Sequence, residues 1–258
     1  MRIVVKVGTS TLTHPTGMLD IRRVQALCSV LSDIKNAGHE VVLVSSGAIG
    51  MGVGKLHLNE RPSDMPTKQA AAAVGQCELM YVYDKLFSEH NHTVAQILLT
   101  GEDLRDETRH GNFSNTLSRL LKLGVLPVIN ENDTISTDEI AVGDNDTLGA
   151  LVAVSAGADL YIILTDIDGL YTADPRRDPN ARLISEVREI TPEMKESAGS
   201  GGTRLSTGGM TTKLIAAGRC MEAGIDTVIV KGSIPAILYD VLDGKPVGTR
   251  FVRKERKQ

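Results

Sequence analysis

The 258-residue sequence has no tryptophan, and its five tyrosines and three phenylalanines make up only 3% of the chain. Any core must therefore be built from aliphatic side chains. A base-stacking nucleic-acid surface is disfavoured as well, because strand binding draws on rings set in a basic groove. Charge points the same way: 28 basic against 32 acidic residues leave a net of -4, whereas phosphate-backbone binding needs clustered lysine and arginine. Cysteine is scarce too. Cys28, Cys77 and Cys220 stand far apart, with no C-x-x-C pair and no histidine at ligand spacing, so neither a disulfide framework nor a zinc site is indicated. They read as buried small hydrophobes. No stretch approaches the ~20 apolar residues that span a bilayer, and MRIVVKVGTS lacks the apolar run of a signal peptide. The expectation is a cytoplasmic chain with no membrane and no nucleic-acid partner.

What the sequence does contain is alternation of two periods. Short β-branched runs at Ile3–Val7, Val41–Val44, Val94–Leu98, Val125–Ile129, Leu160–Leu164 and Thr227–Val230 predict strands. Between them lie helical patterns. Apolar Ile21, Val24, Leu27, Cys28, Leu31 and Ile34 recur at helical spacing from Asp20, an N-cap residue, to Gly38 at the stop. The same period returns over Lys68–Phe87, Phe113–Leu123 and Leu148–Ala156. Continuous apolar strands interleaved with helices predict an α/β fold, a three-layer αβα sandwich around a mainly parallel sheet. From Asp166 to Gly209 the character changes to DPRRDPN, Pro192 and SAGSGGTRLSTGG, which predicts a subdomain or lid carried on the scaffold.

Ligands gather at the carboxyl ends of strands in an open parallel sheet, and there the sequence is rich. The first run is followed by KVGTS, the second by SSGAIGMGVG, the fourth by NENDT and then VGDNDTL, the fifth by TDIDGLYTADP. Glycine turns opening a helix, at Gly8, Gly47 and Gly208-Gly209, expose backbone N–H groups suited to phosphate or carboxylate; taken singly, each reads first as a tight αβ turn. Neither nucleotide fingerprint is present: Ile49 replaces the first glycine of a P-loop ending at Gly54-Lys55, and Lys55 takes the third glycine's place after Gly50-x-Gly52. Lys6 sits inside an apolar strand beside Gly8, and Lys213 follows GGMTT. A strand lysine is ordinarily a surface residue, but at a strand end beside a glycine turn it is also what neutralises a migrating phosphoryl group. Asp144, Asn145 and Asp146, with Asp133 upstream, are either a Mg²⁺-type oxygen cluster or helix caps. Ser45 and Ser46, lacking a G-x-S-x-G elbow, read as hydroxyl donors to a bound anion rather than nucleophiles. The six histidines (His14, His39, His57, His90, His92 and His110) read as surface residues.

KVGTS at 6–10, VSSGAI at 44–49, VINENDT at 128–134, VGDND at 142–146, LTDIDGLYTADP at 164–175 and TGGMTTK at 207–213 together resemble the glutamate 5-kinases of the amino acid kinase family. The motifs run in order over about residues 2–251. The resemblance implies a carbamate kinase-like fold and ATP-dependent phosphorylation of the γ-carboxylate of L-glutamate to L-glutamyl 5-phosphate, which opens proline biosynthesis. It implies one domain over 1–258, a substrate lobe to about 160 and an ATP lobe over about 161–251, without the C-terminal PUA domain of many members. Catalytic roles are implied for Lys6, Asp146 and Lys213, and substrate binding for Ser46, Gly47, Asp133 and Asn145. ATP binding is implied for Lys6, Gly8, Thr165, Asp166, Thr207, Gly208, Gly209, Met210, Thr211, Thr212 and Lys213. Mg²⁺ would ride on the ATP phosphates rather than on protein ligands, and a homo-oligomer (dimer or tetramer) and the next enzyme, glutamyl phosphate reductase, are the implied partners. The competing readings are a sister kinase acting on aspartate, acetylglutamate, carbamate or UMP, and a non-catalytic nucleotide sensor or anion-storage protein on the same scaffold.

Overall fold

A computed structural model of the chain describes residues 1–14, 18–60, 62–135, 145–199 and 209–254. Along them run β1 (Arg2–Val7), α1 (Thr9–Leu12), α2 (Ile21–Asn36), β2 (Glu40–Ser45), α3 (Ala48–Lys55), α4 (Met65–Ser88), β3 (Val94–Leu99), α5 (Glu107–Lys122) and β4 (Leu126–Glu131). The chain continues with α6 (Asn145–Ala156), β5 (Leu160–Thr165), β6 (Glu186–Val187), α7 (Pro192–Gly199), α8 (Met210–Glu222), β7 (Asp226–Lys231), α9 (Ile237–Leu242) and β8 (Thr249–Phe251). Among the described residues the strands form one sheet in the order β3-β4-β2-β1-β5-β7-β8-β6. Every pairing is parallel except β7 with β8. The six strands expected from β-branched runs all form.

Successive strand residues face opposite sides of a sheet, and the core divides accordingly. Ile3, Val5, Val7, Val41, Leu43 and Val128 pack under α2, α4 and α9, whereas Val4, Val42, Val44 and Ile129 pack under α5, α6 and α8. The same alternation sends Lys6 to the α6–α8 side with Val4, and Ser45 and Asn130 to the α4 side with Leu43 and Val128. Lys6 is paired in register between Val44 and Ile163. It therefore lies in the middle of the sheet rather than at an edge.

Asp20 caps α2 as expected, accepting from the Arg23 N–H at 3.0 Å. The Gly-rich stretch after β2 is the helix α3, begun by Gly47 in the left-handed region at φ 105°, where a side chain would strain the backbone. α3 and α4 touch through small residues: a methyl on Gly75 would overlap the carbonyl oxygen of Ala48, and one on Gly52 that of Ala71. The region after Asp166 belongs to the same body, since β6 joins the sheet through β8; residues 200–208 within it lie outside the described residues.

Two readings are corrected. Cys28 and Cys220 are buried but Cys77 is exposed on α4, because it falls on the outward side of a helix whose contacts are made elsewhere. Among the histidines, His39, His92 and His110 are half-buried rather than surface residues; His92 is within 3.3 Å of Ser32 O and His110 within 2.7 Å of Ser155 Oγ. Among the described residues no helix is long and apolar enough to cross a membrane.

Candidate active site

The carboxyl ends of β1, β2 and β4 converge on the first turn of α6, which begins at Asn145. Two neighbouring side chains there serve two different networks.

Asp146 is fully buried and sits between two lysines that are themselves almost enclosed, Lys6 at 7% and Lys213 at 4% exposure. Lys6 Nζ is 2.7 Å from Oδ1 and Lys213 Nζ 3.0 Å from Oδ2. Thr212 Oγ1 lies 3.2 Å from the same Oδ2 and 2.8 Å from Gly209 O. Burial alone would raise the Asp146 carboxyl, but the charges of Lys6 and Lys213 and their hydrogen bonds outweigh it and hold the group below the usual aspartate range. One carboxylate thus bridges two ammonium groups in an enclosed place. Tyr161 fixes the turn from below, donating to the backbone carbonyl of Asp146 at 2.9 Å. A methyl on Gly149 would overlap that tyrosine hydroxyl.

Asn145 turns the other way. Its Nδ2 is 3.1 Å from Ser45 O, 2.7 Å from Ser46 Oγ and 2.9 Å from Asn130 Oδ1. Asn130 in turn donates through Nδ2 to Gln76 Oε1 at 2.9 Å. Ser45 is occupied elsewhere, its Oγ 2.8 Å from the Tyr83 hydroxyl and 3.1 Å from Ser46 O. The reading of Ser45 as a donor to an anion is therefore corrected: strand alternation points it into the α4 layer. Ser46 is half-buried and accepts from Asn145.

The remaining candidates surround these two networks. A methyl built on Gly8 would lie 3.6 Å from Lys6 Nζ and 4.0 Å from Leu164 O, so the turn after β1 is open to a ligand's approach beside the lysine. Thr165, at the end of β5, donates to Asp166 Oδ1 at 3.1 Å, with Asp166 exposed. Gly209 caps α8, and Met210, Thr211 and Thr212 form its first turn with Lys213. Gly47 begins α3 next to Ser46. Asp133 lies half-buried in the turn after β4. Thr207, Gly208 and Asp144 lie outside the described residues.

Sequence reasoning missed Asn130, Gln76, Tyr83 and Tyr161. Asn130 had a signal, being the polar residue at the end of an apolar parallel strand. Within the acidic cluster, Asn145 and Asp146 make contacts across the sheet, and Asp144 lies outside the described residues. Asp146 is consumed by lysines, Asn145 gives its amide to the serine turn, and the described residues hold no group of three or more ligating side chains.

Residues 1–231 match the amino acid kinase family. A glutamate 5-kinase of Clostridium perfringens is 52% identical over 258 residues, covering 98% of this chain and 96% of that protein. The chain belongs to the amino acid kinase family, in its glutamate 5-kinase branch. A glutamate 5-kinase of Caldanaerobacter subterraneus is 51% identical over 252 residues, or 98% of this chain and 68% of that longer protein. Among solved structures the fold is shared with Giardia lamblia carbamate kinase bound to AMP-PNP (TM-score 0.68, 21% identity, 98% of both chains). It is shared as well with a UMP kinase from Ureaplasma parvum (TM-score 0.66, 16% identity, 98% of both). The expected three-layer, carbamate kinase-like architecture is the one found.

Proposed function

We propose that the chain transfers the γ-phosphoryl group of ATP to the side-chain carboxylate of L-glutamate, giving L-glutamyl 5-phosphate for proline biosynthesis. The observation that carries the reading is the buried Lys6–Asp146–Lys213 centre beside an uncharged, hydrogen-bonding pocket at Ser46 and Asn145. A carboxylate is already a nucleophile at neutral pH, so no general base is required. Catalysis reduces to in-line positioning and to screening the charge that spreads over the migrating phosphoryl oxygens.

Lys6 and Lys213 supply that screening from two sides, and Asp146 holds both ammonium groups at a set separation while it offsets one charge. Gly8, Thr165, Asp166 and Gly209 through Thr212, with Thr207 and Gly208, border the nucleotide. Ser46, Gly47, Asp133 and Asn145 take the amino acid, Asp133 by pairing with its α-ammonium. Mg²⁺ carried by the ATP phosphates would add further charge neutralisation.

The substrate side, to about residue 160, and the nucleotide side, about 161–251, form one domain. The chain works in the cytoplasm as a homo-oligomer, dimer or tetramer, as the family resemblance implies. Its acyl phosphate product is labile, which favours a partner reductase.

The test is ADP release from Mg-ATP with L-glutamate, L-aspartate, N-acetylglutamate or UMP, with hydroxylamine present to trap acyl phosphate as hydroxamate. Glutamate-dependent hydroxamate is the expected result. Turnover with another acceptor would move the specificity to a sister kinase, and ATP binding without any turnover would make the chain a sensor.

A further inference from the structure

The amide network under the serine turn runs in one direction, and its direction is set by backbone groups that cannot reverse. Asn145 Nδ2 faces the carbonyl of Ser45 at 3.1 Å, an obligate acceptor, so that nitrogen donates. Asn130 Oδ1 receives both Asn145 Nδ2 and the backbone N–H of Glu131, each at 2.9 Å, so that oxygen accepts. Asn130 Nδ2 is thereby committed as a donor, and its acceptor is Gln76 Oε1 at 2.9 Å.

Gln76 comes from α4, is only 7% exposed, and its buried Nε2 has no hydrogen-bond partner among the described residues. An unpaired buried donor costs folding free energy, and an apolar side chain of similar volume would avoid the cost. What such a side chain would not supply is the acceptor that ends the relay. With Ser45 O, Ser46 Oγ and Asn130 Oδ1 around it, Asn145 Nδ2 is spent on protein acceptors, so the carbonyl Oδ1 is the end left to a bound molecule. Ser46 Oγ accepts from Asn145 at 2.7 Å, so its own hydroxyl hydrogen is free to be donated.

We propose that Gln76 is a positioning residue for the amino-acid pocket: by accepting from Asn130 Nδ2 it holds in place the amide oxygen that receives Asn145, and so keeps Asn145, whose polarity the backbone already fixes, aligned beside Ser46. The proposal rests on the reading of that pocket as the glutamate site. An acceptor and a donor side by side suit a substrate end bearing an ammonium and a carboxylate. Gln76 touches neither substrate nor reacting atoms.

Steady-state kinetics of the full chain with Gln76→Leu and Gln76→Glu test this, using the hydroxamate readout and varying glutamate and ATP separately. Gln76→Leu removes the acceptor and is expected to raise the glutamate KM about tenfold while the ATP KM moves less than about threefold. Gln76→Glu keeps an accepting oxygen and is expected to recover most of that loss. In an Asn145→Ala background, Gln76→Leu should add little, because the residue it positions is gone. Where the leucine variant does not fold, Gln76→Met, unbranched and of matching length, replaces it.

Equal damage by Leu and Glu, parallel rises in both KM values, or additive effects with Asn145→Ala would overturn the positioning role. An unchanged glutamate KM in a folded Leu variant would overturn it too, while the unaltered chain still makes hydroxamate. No glutamate turnover by the unaltered chain would instead overturn the pocket reading, and this proposal with it.

Discussion

Asn145 and Asp146 are adjacent in the first turn of α6, yet they belong to two regions governed by different physics. Around Asn145 every partner is neutral, and specificity comes from which end of each amide donates. The Asp146 carboxylate instead meets two ammonium groups as well as the Thr212 hydroxyl, and function comes from charge held in an enclosed place. The first region should fail by losing substrate recognition, the second by losing rate and stability. One helix turn serves both because consecutive helical residues point about 100° apart.

The sharpest way to break that comparison is to compare Lys6→Met or Lys213→Met with Asn145→Ala. Losing either lysine should lower kcat about 10³-fold, the scale seen when one charge stabilising a transition state is removed, with glutamate KM within about threefold. Asn145→Ala should instead raise glutamate KM about tenfold with a smaller change in kcat. Initial-rate kinetics over both substrates read this directly; a lysine variant whose glutamate KM rose as much as its kcat fell would erase the division.

Next in size is Asp146→Asn, which leaves two ammonium groups buried together and should cost about 3–5 kcal/mol of stability. The pH dependence has a definite sign. Because the folded carboxyl is held low by the lysines against burial, its contribution is complete above the unfolded aspartate value of about 3.9. It is lost as pH falls through the lower folded value. Urea unfolding from pH 6 down to pH 2.5 should show the native chain's advantage over Asp146→Asn shrinking only below about pH 4.

Gly75→Ala comes third. The added methyl meets the Ala48 carbonyl in the α3–α4 contact, and such overpacking costs about 1–3 kcal/mol. The helix displaced is the one that follows Ser46 and Gly47, so glutamate KM should rise along with the drop in Tm, while ATP KM stays put. The smallest effect expected is for Tyr83→Phe: losing one buried hydrogen bond to Ser45 should cost about 1 kcal/mol and leave kcat within twofold. Burial pushes the Tyr83 phenol up, so the hydroxyl stays protonated and the effect should not vary with pH across the neutral range. Calorimetric melting of the two variants side by side checks both.

Much of the scaffold was legible because its signals are local. The six β-branched runs became strands, and Asp20 capped its helix. Lys6 drew attention because an ammonium inside an apolar strand needs a partner. The helix α3 was not legible: Gly50, Gly52 and Gly54 within eight residues argue against a helix on propensity, and only the close approach of α4 explains why glycine stands at position 52. β6 and β8 were missed because two or three residues carry no readable period. Gln76 was invisible for another reason: a polar residue in an Ala-rich helix looks like solvated surface until a partner 54 residues away is placed on it.

The sequence by itself determined the layer architecture and put lysine, serine, asparagine and aspartate at strand ends, since apolar periodicity and turn chemistry act over a few residues. Only the tertiary structure decided that Lys213 reaches an aspartate 67 residues away, that Lys6 meets the other oxygen of the same carboxylate, and that Asn145 faces amides instead. Those choices depend on how α4, α6 and α8 cross the sheet. A crossing is set by the packing of whole faces, and hydrogen bonds and ion pairs between distant segments form only after that packing has brought them within about 3 Å.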